Sequence, residues 1–197
     1  MSDLDAARHA ALAAIRDTKT AADTLIGEHF DNLWHSFEII RDTLRKGHRV
    51  FICGNGGSAA DAQHFSTELV VRLDASSTRR PLPAIALTTD TSILTAASND
   101  FGFDHVFARQ VEALATKGDC LILISTSGNS PNLLLAARTA AEKEVQTVGL
   151  LGKDGGHLGP IVDCPVVVPS DSTQRIQEVH SLVLHLWCEW LEPAFAE

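Results

Sequence analysis

RVFICGNGGSAADAQHFSTELVVRL, running from Arg49 to Leu73, changes its pattern twice. RVFIC (Arg49 to Cys53) is a short apolar run with a β-branched contribution, as in a buried strand, and GNGG stops it. From Ser58 to about Leu73 the apolar residues fall at helical spacing. Strand, glycine loop and helix form the unit from which α/β folds are built, and the unit recurs downstream. DCLILIS (Asp119 to Ser125) reads as a second buried strand, TSGNS as its turn and Pro131 to Lys143 as its helix. AIAL (Ala84 to Leu87), TVGLL (Thr147 to Leu151) and CPVVVP (Cys164 to Pro169) supply three more strands. Further helices are expected over Phe107 to Ala115 and from about Thr173 to Leu191, with DASSTRRPLP (Asp74 to Pro83) as a polar surface loop. Ahead of the first strand, Leu4 to Ile26 and Phe30 to Leu44 both carry helical patterns, and Lys46-Gly47 ends the second. Strands alternating with helices imply a mostly parallel sheet covered on both faces, an α/β sandwich.

The chain has 197 residues, enough for one such domain and too few for two ordinary ones, so residues 1–197 are read as a single domain. With 45% hydrophobic and 21% charged residues it is not disordered. No apolar run reaches the ~20 residues of a membrane span, and the first residues, MSDLDAARHAALAAIRD, lack the apolar segment of a signal peptide. The expectation is a soluble, cytoplasmic protein. Cys53, Cys120, Cys164 and Cys188 stand singly in apolar surroundings, as buried free thiols do in a reducing compartment. A formal net charge of -9 disfavours direct nucleic-acid binding and gives no general attraction for anions. A phosphate site on this chain must therefore be local, made of backbone N–H groups and hydroxyls.

Two corners offer such a site. In GNGGSAADA the glycines at 54, 56 and 57 permit close approach to the backbone, and Ser58 is a candidate N-cap. The spacing matches neither the dinucleotide fingerprint nor the P-loop. In STSGNS, the hydroxyls of Ser125, Thr126, Ser127 and Ser130 surround one glycine directly after a buried strand, with Ser130 as cap and Pro131 at the first helical position. Hydroxyls and free N–H groups at a helix N-terminus suit a phosphate monoester without any lysine.

On the helix after the first corner, His64 and Glu68 are four residues apart and share a face. The last helix adds Gln177, Glu178, His180 and His185. Imidazole nitrogens with carboxylate and amide oxygens suit zinc, though other divalent metals accept the same set. Geometry raises a difficulty. Gln177 and His185 are separated by about 12 Å of rise and about 80° of rotation in an ideal helix. Sharing one ion would need side chains leaning together, an irregular helix or a ligand from another subunit. His180 is the local competitor.

Taken in order, GNGGSAADAQHFSTELVVR, LTTDTSILTAASNDFGFD, ISTSGNSPN, GKDGG and RIQEVHSLVLH resemble the bacterial phosphoheptose isomerases of the sugar isomerase (SIS) superfamily, across roughly Val50 to Trp187. The resemblance implies a five-stranded parallel sheet of flavodoxin-like topology between helices, in a homotetramer with N-terminal helices (residues 1–47) in a bundle and active sites near subunit interfaces. It implies conversion of sedoheptulose 7-phosphate to D-glycero-D-manno-heptose 7-phosphate, for lipopolysaccharide precursors. Its metal ligands fall on His64, Glu68, Gln177 and His185, holding one Zn2+ per subunit. Its substrate contacts fall on Asn55, Gly56, Gly57, Glu68, Asn99, Asp100, Ser125, Thr126, Ser127, Ser130 and Gln177, with Arg72 nearby. Glu68 becomes the base and His185 the acid, roles that the enediol chemistry of aldose–ketose exchange needs. The chain departs from the pattern in SDSTQ (Ser170 to Gln174), where the family sometimes places an acid and Gln174 cannot be one. Two alternatives share the fold: a non-catalytic adaptor that binds a replication initiator, and an isomerase of another phosphosugar. Glu68 argues against the adaptor, which has no use for a carboxylate paired with His64.

Overall fold

A computed structural model describes residues 2–196. Two helices come first, α1 (Asp3–Glu28) and α2 (Phe30–Arg45). Then follow β1 (Val50–Gly54), α3 (Gly57–Val70), β2 (Ala84–Ala86), α4 (Thr91–Phe101), α5 (Ala108–Leu114), β3 (Cys120–Ser125), α6 (Pro131–Glu142), β4 (Gln146–Gly152), β5 (Cys164–Val168) and α7 (Thr173–Ala194). The five strands form one parallel sheet in the order β2-β1-β3-β4-β5. This is the flavodoxin-like order, whose ligand crevice lies where the order reverses, between β1 and β3. The expected α/β three-layer sandwich is thus the observed one.

Every residue of β1 and β3 is buried, because helices cover both faces of the sheet. Alternation then divides their side chains between two cores. Val50, Ile52, Ile122 and Ile124 join Leu33 and Ile40 of α2, Phe65 of α3 and Trp187 of α7, with Leu25 of α1. Phe51, Cys53, Leu121 and Leu123 join Ala97 of α4, Val111 of α5 and Leu133 of α6. So α3 and α6, which follow adjacent strands, lie on opposite faces. All four cysteines are free and buried, as expected. Among the described residues no helix is long and apolar enough to cross a membrane.

Two local expectations are corrected, and one helix is added. The N-cap of α3 is Gly56, with φ 57°, and not Ser58. Ser58 is buried in the first turn, so close to Gly54 that a Cβ there would lie 2.8 Å from that of Ser58. Helix α4 occupies a stretch to which the sequence assigned no element, started by Asp90, whose carboxylate accepts from Ile93 N at 3.0 Å. The loop over 74–83 is not wholly at the surface: Arg79 and Leu82 are buried.

Candidate active site

The two corners leave adjacent strands at one edge of the sheet, since Gly54 pairs with Ile124. At the second, Ser125 Oγ accepts from Gly128 N at 3.0 Å and Ser127 Oγ from Asn129 N at 3.3 Å, so these hydroxyls shape the turn. Ser130 caps α6 by position, with no hydrogen bond from its side chain, and Pro131 follows it as expected. Gly128, at φ +65°, packs so closely on the loop after β4 that a Cβ would fall 1.9 Å from Gly155 O. Leu158 N donates to Gly128 O at 2.9 Å and His157 N to Asn129 Oδ1 at 3.0 Å, fixing the same contact.

Helix α7 lies along α3 in parallel. The amide of Gln177 rests on Gly57, where a Cβ would meet Nε2 at 2.5 Å. One turn on, Ser181 Oγ donates to Asp61 Oδ1 at 3.2 Å, and a further turn on His64 Nε2 lies 2.9 Å from His185 Nε2. The two imidazoles stand edge to face, and Glu68 Oε1 lies 3.6 Å from the other ring nitrogen of His64. His64, Glu68 and His185 are therefore together, while Gln177 occupies the far end of the same seam. Among the described residues no three of His, Cys, Asp and Glu are grouped as a metal centre. The donor chemistry nevertheless fits zinc: nitrogen ligands on one tetrahedral ion stand about 3.3 Å apart, little more than the observed separation. Glu68, behind His64, has the placement of a carboxylate that orients a liganded ring.

The remaining expected residues are dispersed. Asn55 follows β1 and is half-buried, and Gly56 and Gly57 are exposed beside it. Arg72 is exposed just past α3. Asn99 and Asp100 are exposed on the last turn of α4, where Asn99 Nδ2 donates to Asp100 Oδ1 at 2.8 Å. Asp100 lines a cleft of about 320 Å³ with Phe101, Arg109 and Leu114, on the α4–α5 side.

His180 faces the sheet and not α3. It is fully buried, with Nε2 3.0 Å from Leu151 O. Burial pushes its pKa down to about 4 against the opposing pull of that hydrogen bond. The unfolded chain protonates this ring near pH 6.5 and the native chain near 4, so stability is full above 6.5 and declines as the pH falls between those values. We expect unfolding free energy from urea titration to drop by about 2 kcal/mol between pH 8 and pH 5 from this residue, a drop that His180→Met removes.

Three residues with a bearing on the site escaped the sequence reading. Asp61 lies three residues before His64; burial holds its carboxyl above the usual range, opposed by the Ser181 hydroxyl and by His64. Its spacing from His64 was the available signal. Arg79 ends the helix that carries Glu68, donating from Nη2 to Glu68 O at 2.6 Å and from Nη1 to Leu69 O at 3.0 Å, with Glu192 3.2 Å from its Nε. Asn132 is buried and hydrogen-bonded to Asn55. Nothing in the sequence marked either of these two.

Residues 15–152 match the model of the SIS domain family. The chain is 52% identical over 168 residues to the phosphoheptose isomerase of Geobacter sp. (strain M21), covering 85% of this chain and 86% of that protein. It is 51% identical over 185 residues to that of Campylobacter concisus (strain 13826), covering 92% and 96%. Among solved structures, phosphoheptose isomerase from Neisseria gonorrhoeae superposes with a TM-score of 0.88 at 39% identity, covering 94% of this chain and 98% of that one.

Proposed function

The chain belongs to the phosphoheptose isomerases of the SIS-domain family, and on that premise we propose that it interconverts sedoheptulose 7-phosphate and D-glycero-D-manno-heptose 7-phosphate. It is an enzyme, and the adaptor reading falls away with the relatives it resembles. The observation that carries the reading is the His64–His185–Glu68 cluster, set on helices that start at the sheet edge bearing the hydroxyl-rich corner.

In that reading Ser125, Thr126, Ser127 and Ser130 hold the phosphate at the N-terminus of α6. Anchoring the far end of the sugar presents its reacting carbons to the α3–α7 seam. Glu68 takes the C1 proton of the ketose while the C2 oxygen receives a proton from His185, giving the enediol. Return of a proton to C2, with loss of the O1 hydrogen, leaves the C1 aldehyde and an isomer of unchanged composition. Asn55, Gly56, Gly57, Asn99, Asp100, Arg72 and Gln177 are proposed as sugar contacts. His64 and His185, with Glu68 as a further donor, would hold a zinc ion, which when bound polarises the sugar oxygens; Gln177, packed on Gly57 at the far end of the seam, does not join them. An atom tightly bound to an ion does not also exchange a proton, so Glu68 and His185 would work through their other oxygen and nitrogen.

The proposal extends to a cytoplasmic homotetramer that feeds lipopolysaccharide precursor synthesis. Exposed Leu4, Leu12 and Ile15 on α1, whose buried residues are only Ala21 and Leu25, support a helical bundle formed through residues 1–47. The test is incubation with sedoheptulose 7-phosphate, following the aldose by NMR. Turnover is expected, falling at least about tenfold on chelation and returning with zinc. A folded protein with no aldose product overturns the reading.

A further inference from the structure

Neighbouring strands put the two corners about 4.8 Å apart where they leave the sheet. From there they diverge, because α3 packs on one face and α6 on the other. A reciprocal pair of amides spans the gap: Asn55 Nδ2 donates to Asn132 Oδ1 at 3.0 Å, and Asn132 Nδ2 donates to Asn55 Oδ1 at 2.8 Å. Asn132 is the second residue of α6 and 2% exposed, between buried Leu133 and the sheet edge. A buried primary amide is unfavourable there unless it is hydrogen-bonded, and an apolar residue would fill a helix-packing position at no such cost. The pairing commits the amide oxygen of Asn55 and one of its N–H groups to Asn132, leaving its second N–H for a ligand.

We propose that Asn132 is a positioning residue which, through Asn55, fixes the distance between the phosphate corner and the helix carrying His64 and Glu68, and so selects the chain length of the sugar phosphate. This rests on the sugar-phosphate reading above. The ligand spans from Ser125–Ser130 to the α3–α7 seam, and those two ends are built on opposite faces of the sheet. Two hydrogen bonds between side chains join what the backbone separates.

The test compares wild type with Asn132→Ala, Asn132→Asp, Asn55→Ala and the double alanine variant. Three readouts are used: turnover of sedoheptulose 7-phosphate, competitive inhibition by a six-carbon ketose phosphate and by inorganic phosphate, and amide hydrogen exchange. Loss of the brace is expected to lower kcat/KM for the seven-carbon substrate about tenfold. Affinity for inorganic phosphate and for the six-carbon competitor should stay within about twofold, since the phosphate corner itself is intact. That limit applies to the Asn132 variants; Asn55→Ala, which also removes a proposed sugar contact, should lower kcat/KM at least as far, and the double variant should be no worse than Asn55→Ala alone. Exchange should quicken at residues 54–58 and 125–130 together. Asn132→Asp keeps the acceptor, loses the donor and should show the same pattern if the alanine variant folds poorly. Equal losses for all three ligands, multiplying effects in the double variant, or faster exchange confined to α6 would each overturn the proposal. Absence of turnover in wild type would instead count against the isomerase reading, while the exchange data would still decide whether the brace exists.

Discussion

Glu68→Gln is expected to reduce kcat by about 10²–10⁴-fold, the range assigned to a positioned general base, while leaving the fold intact. The substitution keeps the shape of the side chain and the 3.6 Å approach to His64 but removes the proton acceptor. Glu68 is half-buried on the last turn of α3, and the hydrogen bonds that end that helix go to its carbonyl from Arg79 and not to its carboxylate. Unfolding curves of variant and wild type should therefore agree within about 1 kcal/mol. The decisive measurement is incorporation of solvent deuterium at the substrate carbon, which should vanish together with turnover. Retention of more than a tenth of wild-type exchange would remove Glu68 from the base role and direct attention to Asp61, which faces the same seam about two turns earlier.

Gly128→Ala should be as damaging by a different route. Two costs coincide. At φ +65° an alanine occupies a region that L residues enter at about 1 kcal/mol or more. Its Cβ would also lie 1.9 Å from a backbone oxygen of Gly155, an atom that cannot rotate away as a side chain does. The loop after β4 must then back off, breaking the bonds from Leu158 N to Gly128 O and from His157 N to Asn129. We expect a loss of about 3 kcal/mol or more in stability and a rise in KM of at least about tenfold as the hydroxyl corner opens. Calorimetric unfolding with substrate titration checks both. A variant with unchanged KM would exclude this corner from phosphate binding.

How far the sequence could be read depended on which interactions are local. β1 and β3 were legible because strands buried on both faces are continuously apolar, and α7 because its apolar stripe persists to Leu191. Helix α4 was not, since TSILTAASNDF is poor in strong helix formers and buries only Ala97, leaving no stripe to detect. Ser58 has the chemistry of a cap, but the turn that β1 makes into α3 needs a left-handed residue, and Gly56 supplies it. In the site, the pairing of His64 with Glu68 follows from helical spacing. The meeting of His64 with His185 depends on the docking of helices more than a hundred residues apart in the chain, which no local pattern encodes. Gln177 shows the same limit in reverse. Its expected place beside His185 conflicts with the rise of a helix, and in the fold it packs on Gly57 instead.

The seam between α3 and α7 also governs which changes of length the chain can survive. Gly57 faces Gln177, Asp61 faces Ser181 and His64 faces His185, an almost constant offset along two parallel rods. Deleting one residue between Gln177 and His185 would turn His185 by about 100° and draw it back by about 1.5 Å, carrying it out of reach of His64 even if every other contact were kept. Lengthening the exposed loop tips at 74–76 or 160–161 moves neither rod and leaves Arg79 and the contact of Gly155 with Gly128 in place. Homologues that differ in size should therefore carry their gaps in those loops and preserve both helical spans without interruption, and engineered insertions should be tolerated on the same map.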